Sequence, residues 1–179
     1  MSRFAALFFC AGLLAAAVPA PAAAPAVALA KADAAALVAR IKELGEAMNR
    51  ADAAPVIRYT HPAVIRLAGS RQKFEEAVRA SFKANAGYRL ASYVVGEPAA
   101  PVRAGDQEIV VVPVSMELHI EKNRLRSDGF MVGARTLGDT EWYCLDGAGF
   151  AKSPELFAKL FPGLPAGFKL PTGKIEVLK

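Results

Sequence analysis

Asp128, His61 and Tyr59 are the side chains through which this chain of 179 residues would carry out acid–base chemistry. Asp128 shares a strand face with Phe130 and Val132, and a carboxyl turned into such apolar surroundings has its pKa raised towards the range of a general acid or base. The alternative is a bulge at Gly129 that exchanges the two faces of the strand. His61 lies between Tyr59 and Pro62 at a corner of the chain, where an imidazole either bonds to backbone or acts as a base beside a hydroxyl donor. His119 shares its face with Glu117 and Glu121 and reads as solvated. Cys144, flanked by Tyr143 and Leu145, reads as packing, because a nucleophilic thiol needs a basic partner and the sequence names none.

Two histidines without a short-spaced partner do not make a zinc site, which needs three or four converging ligands. The chain also lacks a Gly-rich phosphate loop, a Ser/His/Asp constellation and a Cys-x-x-Cys pair. Neither a metal nor a cofactor is therefore expected. The aromatic residues carry the other kind of chemistry: Trp142, Phe130, Tyr88, Tyr93, Phe74 and Phe82 would supply an aromatic interior, in which Phe74, Phe82, Phe130 and Trp142 would bind a small apolar ligand, although the same rings also suit a packed core.

The elements that must position these groups follow from periodicity. Leu37, Ile41, Leu44 and Met48 recur at helical spacing between Ala32 and Asn49. Asp52 caps a short second helix with Val56, Ile57 and Tyr59, which ends before Pro62. Ser70 caps a third, whose apolar face carries Phe74, Val78 and Phe82. From Tyr88 the period changes to alternation. Tyr88 to Val95 reads as a strand and Gly96 to Gly105 as a loop.

The longest strand signal is Glu108 to Glu121. Its even-numbered face from Val110 to Ile120 is apolar, and its odd-numbered face is increasingly wet. Pro113 points to an edge strand or a bulge there, since it donates no ladder hydrogen bond. Further strands are read over Leu125 to Leu137 and Thr140 to Leu145, then a short helix from Ser153-Pro154 to Phe161. Helices first and an antiparallel meander after them predict an α+β fold, with three N-terminal helices packed on a curved antiparallel sheet.

Arg3 is the only charge before Lys31, and it precedes an apolar run, Phe4 to Val18, and a stretch rich in Ala and Pro. This order predicts a signal peptide over residues 1–30, cleaved after Ala20, Ala24 or Ala30, and a periplasmic or secreted mature protein. The mature chain of about 150 residues suffices for a single domain, 31–171, followed by a tail, 172–179. Removing Cys10 leaves Cys144 with no intramolecular partner. No second apolar segment reaches spanning length, so no membrane insertion is expected after cleavage. The net charge of +5 is spread along the chain without a basic, aromatic-studded stripe, which argues against nucleic acid as a partner.

The order of elements resembles the nuclear transport factor 2-like superfamily, and within it small exported bacterial proteins of unassigned activity. The residues behind this are His61-Pro62 with Val64 and Ile65, then Gly69 and Phe74, Trp142-Tyr143 before Asp146-Gly147, and Leu160-Phe161-Pro162 with Leu164-Pro165. The resemblance implies a cone-shaped, cystatin-like α+β domain whose mouth suits a small molecule. It also implies isomerases, dehydratases, binding modules and dimerisation domains on one scaffold. The expectation is a non-catalytic small-molecule-binding or interaction module of the bacterial cell envelope. One alternative is an isomerase- or hydrolase-like enzyme using Asp128 or His61. Another is a domain forming a homodimer through its sheet, anchored by Ile109 and Val111.

Overall fold

The computed structural model describes residues 28–178, and all but the last three residues of the export segment read over residues 1–30 lie outside them. Helix α1 (Lys31–Asn49) buries Leu37, Ile41 and Leu44 as the spacing predicts. Helix α2 (Ala53–Tyr59) starts where Asp52 accepts from the Ala54 N–H at 3.0 Å. A further helix, α3 (Pro62–Leu67), separates it from α4 (Arg71–Ala84). Among the described residues four helical segments therefore precede the sheet, in place of the three expected. Pro62 ends one helix and begins the next: it disfavours helix at His61, yet its ring suits a first helical turn, where its missing N–H has no partner to lose.

Six strands form an antiparallel, curved and unclosed sheet. They are β1 (Tyr88–Val95), β2 (Val102–Ala104), β3 (Gln107–Ile120), β4 (Asn123–Thr136), β5 (Tyr143–Asp146) and β6 (Lys174–Leu178). The β3–β4 hairpin is its spine, paired without a break from Gln107↔Thr136 to Ile120↔Asn123. Strands β1 and β2 share the far edge of β3, while β5 and β6 share that of β4. The stretch read as a free tail over 172–179 thus contributes β6, paired with Arg124–Asp128. Two short helices, α5 (Gly147–Ala151) and α6 (Pro154–Leu160), lie between β5 and β6.

Pro113 does not place β3 at an edge, because β3 is central. The Pro113 carbonyl accepts from the Gly96 N–H at 2.8 Å, just where the neighbour of β3 changes from β1 to the loop before β2. A residue's N–H and C=O point to the same side of a strand, so the absent donor falls in that gap.

Both sheet faces are covered at the α1 end. On the helical side Leu37, Ile41, Leu44 and Tyr59 pack on Val110, Val112 and Val114. On the other side Ile109, Phe130, Val132 and Leu145 pack under Phe157 and Phe161, with Phe168 and Leu170 added from the segment after α6. The odd-numbered face of β3 grows wetter along the strand: Ile109 is buried, Val111 half-buried and Pro113 exposed. Ile109 is fully buried by the chain's own C-terminal part, and Val111 is half-buried against the same cluster.

Arg135 ties the first turn of α1 to this sheet. Its guanidinium lies 2.7 Å from both Asp33 and Glu108 and 4.3 Å above the Trp142 ring. The Asp33 hydrogen bond leads the causes that hold Arg135 above its ordinary pKa. Among the described residues no helix is long and apolar enough to cross a membrane.

Candidate functional site: an apolar cavity under helix α4

Between the helices and the sheet lies a cavity of about 620 Å³, within the range of small-molecule sites. Leu44, Met48 and Val56 close it from α1 and α2, and Val114, Met116 and Met131 form its floor. Helix α4 is its roof. Ser70 starts that helix by accepting from the Lys73 N–H at 3.1 Å, and the i, i+4, i+8 spacing puts Phe74, Val78 and Phe82 on the face that lines the cavity. None of the residues of α4 is buried. A helix draws most of its stability from packing an apolar face, and the apolar face of α4 looks onto the cavity.

Tyr93 reaches the cavity through a break in the β1 alternation. The β1–β3 register shifts between Leu90 and Ser92, so Tyr88 and Leu90 pair with Ile120 and Leu118, and Tyr93 with Met116, all on the helical face. Gly45 of α1 lets the ring approach, since a Cβ there would stand 2.7 Å from Tyr93 Cε1. The Tyr93 hydroxyl is buried and has no hydrogen-bond partner among the described residues. Burial above all, and then the neighbouring Cys144 and Asp146, push its pKa well up, so it stays protonated. The Cys144 thiol, pushed up by burial to about 12, is no nucleophile at neutral pH.

Three of the four residues expected to bind a ligand, Phe74, Phe82 and Phe130, line this cavity. Trp142 does not, which corrects that expectation. Its ring is 1% exposed, sealed between the helical-side core and the Arg135 guanidinium, and Arg40 of α1 donates to its backbone carbonyl.

None of the catalytic candidates lines the cavity, and each is hydrogen-bonded to a partner other than the remaining two. Asp128 shares its face with Phe130, and the unbroken pairing around Gly129 excludes the bulge, but this is the face away from α1 and α4. Ser115 Oγ donates to its carboxylate at 2.6 Å and Arg126 Nε at 3.1 Å. These bonds hold Asp128 below the usual carboxylate range, opposite to the upward shift expected of a buried acid.

His61 is buried at the start of α3. Its Nδ1 accepts from the Ala63 N–H at 3.2 Å, which leaves the hydrogen on Nε2 to donate to Gln107 Oε1, also at 3.2 Å. Burial lowers its pKa, so the ring is a neutral cap held between Tyr143 and Phe161. Tyr59 donates to Glu43 Oε2 at 2.9 Å beneath the Arg40 guanidinium, which fixes α2 on α1. His119 sits in a surface network with Glu117 and Arg124, as its strand face predicts.

The sequence places Tyr93 together with Tyr88 in the aromatic interior but does not single out its hydroxyl. The bulge at Ala91 hides its phase, and alternation alone separates it from Tyr88. Among the described residues, no group of three His, Cys, Asp or Glu side chains is placed to hold a metal ion. Compared with known proteins, the chain matches no family model, no curated protein and no solved structure.

Proposed function

We propose that the protein is an exported, non-catalytic module of the bacterial cell envelope that holds a small apolar molecule in the cavity beneath α4. The observation that carries this reading is α4 itself: its Phe74, Val78 and Phe82 stripe faces a cavity of about 620 Å³, and none of its residues is buried. A molecule in the cavity supplies the surface that this stripe is built to meet. Helices laid over a curved sheet also support the cone of the nuclear transport factor 2-like superfamily as the scaffold. An isomerase- or hydrolase-like role needs an acid–base group at the ligand, whereas Asp128, His61 and Tyr59 are engaged elsewhere.

Export is consistent with the start of α1. Leu29 packs against the helical-side core and the Ala30 carbonyl accepts from Ala34 N–H at 2.9 Å, so cleavage after Ala20 or Ala24 preserves contacts that cleavage after Ala30 would remove. Native mass spectrometry of the protein recovered from the cell envelope tests the function. A complex heavier than the chain by one small molecule, released on denaturation, is the expected result. Protein that is ligand-free on recovery and binds no apolar compound afterwards would refute it.

A further inference from the structure

Resting on that binding role, we infer that the ligand is an uncharged, elongated apolar molecule with a single hydrogen-bond acceptor, such as a ketone or ester carbonyl, and that Tyr93 donates to that acceptor. Three observations converge on this class. Tyr93 lines the cavity, its hydroxyl is covered and finds no partner among the described residues, and a buried donor is costly unless something accepts from it. Being protonated, it offers a hydrogen to an acceptor.

The second observation is electrostatic. Among the described residues lining the cavity there is no Lys, Arg or His, and the one carboxylate is Asp146, which caps α5 through the Ala148 N–H at 3.1 Å. A carboxylate or phosphate headgroup drawn in beside Tyr93 would lose its water, find no counter-charge in the lining and sit in the field of Asp146.

The third is shape. The floor of the cavity continues along the same sheet face, from the Met116↔Ser127 pair to Leu118↔Leu125, and β6 extends it with Ile175 and Val177. Those two side chains are 72% and 68% exposed, so an apolar chain leaving the cavity has an apolar strip to follow. Tyr93 on β1 and Ile175 on β6 stand at the two ends of the row that runs through the Met116↔Ser127 pair, which suits a long ligand, polar at the Tyr93 end and apolar along its length.

The test compares 2-dodecanone with dodecanoate, chains of matched length, against the full mature protein and its Tyr93→Phe variant at neutral pH by titration calorimetry. The expected result is binding of the ketone about tenfold or more tighter than the carboxylate, and a loss of about tenfold for the ketone in Tyr93→Phe, the effect of one buried hydrogen bond. Equal ketone affinity in the two proteins, or tighter binding of dodecanoate, would overturn the proposal. The neutral dye N-phenyl-1-naphthylamine separates the two levels of failure. If the dye binds and the ketone does not, the ligand class is wrong; if neither binds, the binding role falls with it. Thermal unfolding of Tyr93→Phe shows that it folds, so lost affinity cannot be ascribed to lost structure.

Discussion

His61 shows how a residue's type suggests chemistry that its surroundings withdraw. Burial lowers its folded pKa below the ordinary 6.5, so between that lowered value and 6.5 the unfolded chain takes up a proton that the folded chain refuses. Stability is therefore full above about pH 6.5 and declines as pH falls through this window. Urea unfolding at pH 7 and pH 5 should show the decline. It should be smaller in His61→Asn, which keeps a helix-capping oxygen and removes the titrating ring. An identical slope in the variant would show that other groups cause it.

Tyr93 gives the opposite sign. Removing a buried hydroxyl that has no partner among the described residues should raise the stability of the ligand-free Tyr93→Phe protein by about 1 kcal/mol, or roughly 3 °C in Tm, while weakening ketone binding. A residue needed only for packing would lower both.

At the scale of elements, helices marked by capping and apolar spacing were legible: α1, α2 and α4 lie within a residue or two of their expected bounds. Those missed were short or depended on distant partners. Helix α3 spans six residues around an apolar stretch that fits a turn equally well. Strand β6 was missed although Lys174-Ile175-Glu176-Val177 alternates polar and β-branched residues, because the run is five residues long and its partner β4 is distant in the chain. The covering of Ile109 by Phe157 and Phe161 is likewise a tertiary event, invisible to alternation.

Helix α4 carries the prediction of this scale. Its amides should exchange with deuterium faster than those of α1, whose Leu37 and Ile41 are fully buried. Saturating N-phenyl-1-naphthylamine should slow exchange in α4 while leaving α1 unchanged. Exchange in α4 that is already as slow as in α1, and indifferent to the dye, would contradict its role as a ligand-contacting roof. For α1, intact mass of the mature chain should place the N-terminus at Pro21 or Pro25, and a start at Lys31 would count against the role given to Leu29.

For the whole molecule, the α+β order and the apolar face of β3 were readable because both rest on local periodicity. The site was readable only in part. Phe74, Phe82, Phe130 and Tyr93 line the cavity, whereas Trp142 packs beneath Arg135, and the inward turn of Tyr93 follows from the β1 bulge. Residues with reactive side chains drew attention first, yet the structure uses Asp128, His61 and Tyr59 as partners in a surface pair, a helix cap and a helix–helix bond. What remains for function is the interior volume and the helix that covers it.

The most direct measurement of that claim is a fluorescence titration of N-phenyl-1-naphthylamine into the mature protein and into Val78→Trp, whose added ring projects from α4 into the cavity. Saturable one-to-one binding by the native protein, weakened by about tenfold or more in a folded Val78→Trp, is the predicted result. Undiminished binding by that variant, or none by the native protein, would contradict a ligand site beneath α4.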